Sequence, residues 1–151
     1  MTSKIFIFSL FLMVFAGAAL AQTEADAIVG VWESGNGKAR IKIDKANDKF
    51  NGRIVWLREP NDEAGKPKLD KNNPEEALRS KPLLGYSMLK GFSYKGEKKW
   101  EDGTIYDPES GSTYSCTITM TDENTLDVRG YIGVSLFGRT DVWKRVVVKK
   151  K

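Results

Sequence analysis

From about residue 28 onward, apolar and polar side chains alternate with a period close to two. Ala39, Ile41 and Ile43 interleave with Arg40, Lys42 and Asp44, and Leu126, Val128 and Ile132 interleave with Asp127, Arg129 and Tyr131. Such alternation marks strands with one buried and one wet face. Turn chemistry separates the runs: GNGK at 35–38, KANDK at 45–49, KGEK at 95–98, DPESG at 107–111 and TDEN at 121–124. The segments between turns predict eight strands, at 28–34, 38–44, 50–57, 83–94, 98–106, 112–120, 125–133 and 139–148. Short turns make successive strands antiparallel neighbours. Eight of them can close on themselves and leave no exposed edge. The pattern therefore predicts an all-β protein, an eight-stranded antiparallel up-and-down barrel with one short helix in a long loop. A two-sheet sandwich is the alternative.

The long loop is 58–82, REPNDEAGKPKLDKNNPEEALRSKP. Connections this long are uncommon in compact domains and are usually functional or disordered. Asn73 suits an N-cap, Pro74 the first helical position, and Glu76 follows three residues after the cap. Pro82 ends whatever begins near Glu75. A helix of one to two turns over 75–81, lying across a barrel mouth, is expected either to act as a lid or to plug an apolar opening. A second irregular stretch lies between the last two strands. Gly133 and Gly138 bracket Val134, Ser135, Leu136 and Phe137, which are expected to turn the chain and close a barrel end. Gly130 takes an inward position, where a missing side chain permits tight curvature or close packing.

The start of the chain reads as a targeting segment. Lys4 precedes an apolar run at 5–15, and Ala19-Leu20-Ala21 supplies a small-x-small cleavage site before Gln22. A membrane span needs about 20 apolar residues, and here that length is reached only by counting Ser9, Gly17 and the alanines. The absence of a cysteine at the cleavage point argues against a lipid anchor. The expected organisation is a signal peptide at 1–21, a single domain at 22–148 and a basic tail at 149–151. The mature chain is expected to be exported, to the periplasm or beyond, with no membrane span. Loss of Lys4 takes the net charge from +4 to +3, and three lysines sit in the tail. A nearly neutral domain argues against a nucleic-acid partner, which calls for a concentrated basic face.

Candidate chemistry is sparse. The chain has no histidine, so it lacks the commonest general base and metal ligand. Its single cysteine, Cys116, shares the parity of Tyr114, Ile118 and Met120 and reads as a buried, inert thiol. Asp102, Asp107 and Glu109 gather around Tyr106, and a carboxylate pair could hydrolyse a sugar bond. The DPESG run is more simply a turn, with Asp capping its own backbone. Asp70, Asn72 and Glu75 or Glu76 faintly resemble a calcium loop but lack the required glycine. No metal and no cofactor is implied. Trp56, Trp100, Tyr106, Tyr114 and Tyr131 are candidates to line a cavity, and Arg129 or Arg139 to fix an anionic head group. The alternative is that these aromatics fill the core, since a barrel of this size is either packed or holds one small ligand.

Gly30-Val31-Trp32 near the start, with Trp143 and Arg145 near the end, resembles the lipocalin-like closure, in which an early tryptophan shuts one barrel end beneath a late arginine. LDKNNPEEALRSKPLLG, WEDGTIYDPESGSTYS and RGYIGVSLFGRTDVWKR are similar to blocks of a family of small exported bacterial proteins, domain of unknown function 2147. The resemblance implies a signal peptide and a compact lipocalin-like β-barrel, and it assigns no activity. Its blocks single out Asp70, Asn73, Pro74 and Arg79 in the lid segment, and Trp100, Gly103, Tyr106, Asp107 and Tyr114 in the middle of the chain. In the last block they single out Arg129, Tyr131, Gly138, Arg139 and Trp143. The expected function is a non-catalytic exported barrel binding a small apolar or amphipathic ligand. An envelope module that binds a protein partner and has a filled core is the alternative, and a carboxylate-dependent hydrolase a third.

Overall fold

The computed structural model describes Leu20 and residues 22–147, so the expected leader, Leu20 apart, and the basic tail lie outside the described residues. Eight strands follow in chain order: β1 Gly30–Glu33, β2 Ala39–Ala46, β3 Lys49–Leu57, β4 Ser87–Gly96, β5 Lys99–Asp107, β6 Ser112–Asp122, β7 Thr125–Tyr131 and β8 Arg139–Arg145. Each pairs antiparallel with the next, and β8 returns to β1 through Trp32 opposite Arg145. The sheet is a closed up-and-down barrel, not a sandwich.

The two ends differ. Tight turns at Asn47-Asp48 and Glu97-Lys98, with positive φ at both central residues, close one end. Residues 22–28 fold back beneath it, ending in a 3-10 turn at Asp26–Ile28. Ala25 and Ile28 are buried there, and each caps a tryptophan: the Trp100 indole N–H donates to the Ala25 carbonyl at 3.1 Å, the Trp32 indole N–H to the Ile28 carbonyl at 2.9 Å. Phe50 packs edge-on against Trp100, and Ile43, Ile118, Met120 and Leu126 complete this filled half. Buried indoles need a hydrogen-bond partner, and the leading segment supplies both.

Arg145 seals the same end from outside. Its guanidinium lies 4.1 Å above the Trp32 ring and donates to the carbonyls of Ala27, Val29 and Glu123. A planar fork can stack and donate at once, which a lysine cannot.

The barrel carries bulges that break the period of two. Between Arg40 and Ile41 the β2–β3 register shifts, leaving Val55 as the extra residue. Between Trp100 and Gly103 the β5–β6 register shifts at Asp102, whose φ is 65°. Each bulge reverses the face on which the following side chains stand.

The long connection at 58–86 is ordered by its own backbone bonds, with bridges pairing Asn61 with Pro67 and Leu69 with Pro82. Its expected helix shrinks to one 3-10 turn, Glu76–Leu78. Asn73 does accept the Glu75 N–H at 2.8 Å, but Glu75 stays extended, so the turn starts a residue late and Pro82 limits its length.

Candidate functional site

The other half of the barrel is open. Its end is formed by the β1–β2 turn, the 58–86 connection, the β5–β6 turn and the β7–β8 connection. A half-open cavity of about 1230 Å³ takes in the space between these loops and runs inward from the mouth. Its walls include Ile41, Ile54, Leu57, Ile105, Tyr114 and Val128, with Trp143 buried deeper in. Gly130 adds room: a Cβ built there would come no closer than 3.4 Å to Ile105 and 3.6 Å to Tyr114.

Polar groups gather at the rim. Asp141 accepts the Trp143 indole N–H at 2.7 Å and the Gly35 N–H at 3.2 Å, which ties β8 to the β1–β2 turn. Arg139 also borders the cavity, and its guanidinium has no hydrogen bond or ion pair to any described residue. Lys38, in the β1–β2 turn, forms a 2.8 Å ion pair with Glu109 in the β5–β6 turn. These turns join strands on opposite sides of the ring, so the pair spans the mouth. The Glu109 carboxylate holds the Lys38 ammonium above its usual pKa.

The residues singled out from the sequence fall into three groups. Tyr114, Arg139 and Trp143 face the cavity. Trp100 and Trp32 point inward but plug the filled half, and Arg145 covers Trp32. Trp56 lies outside, because the Val55 bulge turns it outward to stack under Arg40, whose guanidinium is 4.5 Å from the ring. Arg129 is also external: it donates to the Ser135 and Leu136 carbonyls and to the Thr140 hydroxyl. Tyr131 stands with it on the outer face, opposite Ser115, and reaches only the rim of the cavity.

Tyr106 follows a different logic. After the Asp102 bulge it stands opposite exposed Thr113, on the outward side, yet it is buried because the 58–86 connection covers it. Tyr86 stacks on it at 5.2 Å, and its hydroxyl donates to Asp70 at 2.7 Å. Asn73 donates to the other Asp70 oxygen at 2.7 Å, and Arg79 donates to the Asn73 carbonyl. Burial, then the bond to Asp70, raises the Tyr106 pKa above its usual value. Asp70, Asn73 and Arg79 thus fasten the connection to the barrel wall.

Of the acidic residues considered for hydrolysis, Asp102 and Asp107 are not brought together. Asp102 is exposed and paired with Lys95 at 2.6 Å, while Asp107 caps its own turn through the Glu109 N–H and Ser110 hydroxyl. Five residues of extended strand place them roughly 17 Å apart, beyond the ~5–10 Å that paired-carboxylate hydrolysis uses. Among the described residues no group of three or more His, Cys, Asp or Glu is placed to hold a metal. No helix there is long and apolar enough to cross a membrane. The β7–β8 connection, expected to close a barrel end, instead leaves Val134, Leu136 and Phe137 exposed at the open end.

Asp141 and the Lys38–Glu109 pair escaped the sequence reading. An up-and-down order places the first, third, fifth and seventh connections at one end, which puts the Lys38 turn and the Glu109 turn on the same mouth.

Among curated proteins, none matches the chain. Among solved structures it is similar to protein HP1028 from Helicobacter pylori, described as belonging to the lipocalin family. The two share 22% identity over 80% of this chain and 83% of that one, with a TM-score of 0.70. The octameric penicillin-binding protein homologue from Pyrococcus abyssi aligns at 10% identity, over 83% of this chain and 20% of that one. Its TM-score is 0.43, too low to carry an argument. The first similarity shows the fold, a lipocalin-like barrel. Residues 30–145 match the model of a family described as "uncharacterized protein conserved in bacteria (DUF2147)", and the chain belongs to that family.

Proposed function

We propose that the protein is an exported carrier or sensor of one small amphipathic molecule, held with its apolar body in the barrel and its anionic head at Arg139. The observation that carries this reading is the cavity itself. At about 1230 Å³, mouth included, it exceeds the ~300 Å³ at which small-molecule pockets begin. Its inner wall is aliphatic and aromatic, at Ile41, Ile54, Ile105, Tyr114 and Val128, while its mouth is ringed by charged and polar side chains. Arg139 at the rim has no described counter-ion, so a carboxylate or phosphate could take its free guanidinium donors. The likeness to a protein of the lipocalin family supports the same reading at the level of fold. Export is supported by the leader-like residues 1–21, and cell fractionation showing the full-length chain in the cytoplasm would remove that part.

Displacement of anilinonaphthalenesulfonate from the purified protein tests the binding. A long-chain carboxylate is expected to compete better than the matching neutral alcohol. Arg139→Ala should erase that preference, lowering carboxylate affinity by roughly 10-fold, as the loss of one charge-assisted contact implies. Absence of any saturable probe binding would contradict the proposal.

A further inference from the structure

The β7–β8 connection presents an apolar surface that the cavity does not explain. Ile132, Val134, Leu136 and Phe137 are 77%, 57%, 79% and 79% exposed, within six consecutive residues. Scattered exposed hydrophobics are ordinary, but a concentrated patch marks an interaction site. Three further features say what kind of surface it fits.

The backbone of the tip is tied down from within. Phe137 N–H donates to the Val134 carbonyl and Gly138 N–H to the Ser135 carbonyl, forming the 3-10 turn Ser135–Phe137. The Ser135 and Leu136 carbonyls accept from Arg129. A loop entering hydrocarbon must satisfy such groups internally, since no water is there to do so.

The foot of the loop is built differently from its tip. Arg139 stands at it with no carboxylate partner among the described residues, and Tyr131 lies beside it, while the Arg129 guanidinium is engaged by the Ser135 and Leu136 carbonyls and the Thr140 hydroxyl. A free arginine and a tyrosine at the level of phosphate groups, below an apolar tip, match the layering of a membrane interface. Finally, Ile132 and Phe137 belong both to the exposed patch and to the cavity lining, so the apolar surface runs without a break from tip to barrel interior.

We propose that this connection docks the open end of the barrel onto a phospholipid bilayer, with Val134, Leu136 and Phe137 inserted at the headgroup–acyl boundary. The contact is shallow and reversible. It places the barrel mouth against the membrane surface. Docking does not require the barrel to carry a ligand; if it does carry one, an amphipathic molecule can pass between bilayer and cavity without crossing water.

The test is flotation of the mature protein with vesicles of phosphatidylcholine and phosphatidylglycerol, comparing wild type with the double variant Val134→Ser, Leu136→Ser. Neither residue lines the cavity, so the variant separates docking from ligand binding. The expected result is that wild type floats with the vesicles and the variant partitions at least ~10-fold less, with unchanged melting and unchanged probe binding. Equal flotation of both, or of neither, would overturn the proposal. So would wild-type self-association that the variant abolishes without any vesicle binding, since the patch would then be covered by a second copy.

Discussion

The Tyr106 hydroxyl and the Asp70 carboxylate meet at 2.7 Å, in a place that neither residue's own element would bury. Tyr106 stands on the outward side of β5, and Asp70 lies in a connection that contributes no strand to the barrel. Both are buried because the 58–86 connection, with Tyr86 and Asn73, lies over this face of the strand. No cation pairs with Asp70 among the described residues; its two carboxyl oxygens accept from Tyr106 and Asn73.

Tyr106→Phe should therefore destabilise the fold by about 1–3 kcal/mol, since it leaves a buried acceptor short of a donor. It should also change the response to alkali. The folded-state pKa is raised above the usual 10.0, so the stabilisation is complete below that pH. It is lost as pH rises, because the unfolded chain gives up the proton first. Urea midpoints taken from neutral pH to above pH 10 should fall less steeply for Tyr106→Phe than for wild type. Tyr94, also raised by burial, leaves a residual slope in both.

Arg145→Ala should cost about 2–4 kcal/mol by thermal or urea unfolding. It removes the stack on Trp32 and orphans the carbonyls of Ala27, Val29 and Glu123. Arg145→Lys should recover less than half of the loss, because an ammonium cannot stack and serve three carbonyls together. Full recovery by lysine would show that only the charge matters.

Cys116 should be silent toward thiol reagents in the folded protein. It is buried between Gly103 and Gly130, and burial pushes its thiol up to about 12. Aromatic disulfide reagent at mildly alkaline pH should label it only after urea is added, at the rate of unfolding. Fast labelling without denaturant would mean that the barrel wall opens locally at β6.

The eight strands, their order and their turns are legible in the sequence because each strand keeps one face dry, and a period of two records that directly. The inner and outer assignments fail where the count slips. Trp56 shares Ile54's parity on paper, but Val55 is an extra residue and the indole ends outside under Arg40. Tyr106 shares the parity of inward Trp100 until Asp102 intervenes. Neither bulge is announced by a glycine at the extra position, so local chemistry gives no warning. The candidate site is half legible for the same reason. Tyr114, Arg139 and Trp143 follow from parity, whereas the cavity depends on how far the large residues at the opposite end fill the barrel. The cover over Tyr106 required knowing where a polar connection of unusual length would lie, and its anchor is a carboxylate, the type least expected to be buried.

Stoichiometric binding of a fluorescent long-chain carboxylate to wild type and to Gly130→Phe tests the central claim most directly. The new ring would project between Ile105 and Tyr114 into the cavity, where the backbone already accommodates a Cβ. A saturable isotherm of one molecule per wild-type chain, weakened at least ~10-fold in a variant that still folds and melts cooperatively, is the predicted result. Equal binding by both proteins would place the ligand outside the barrel and contradict the account.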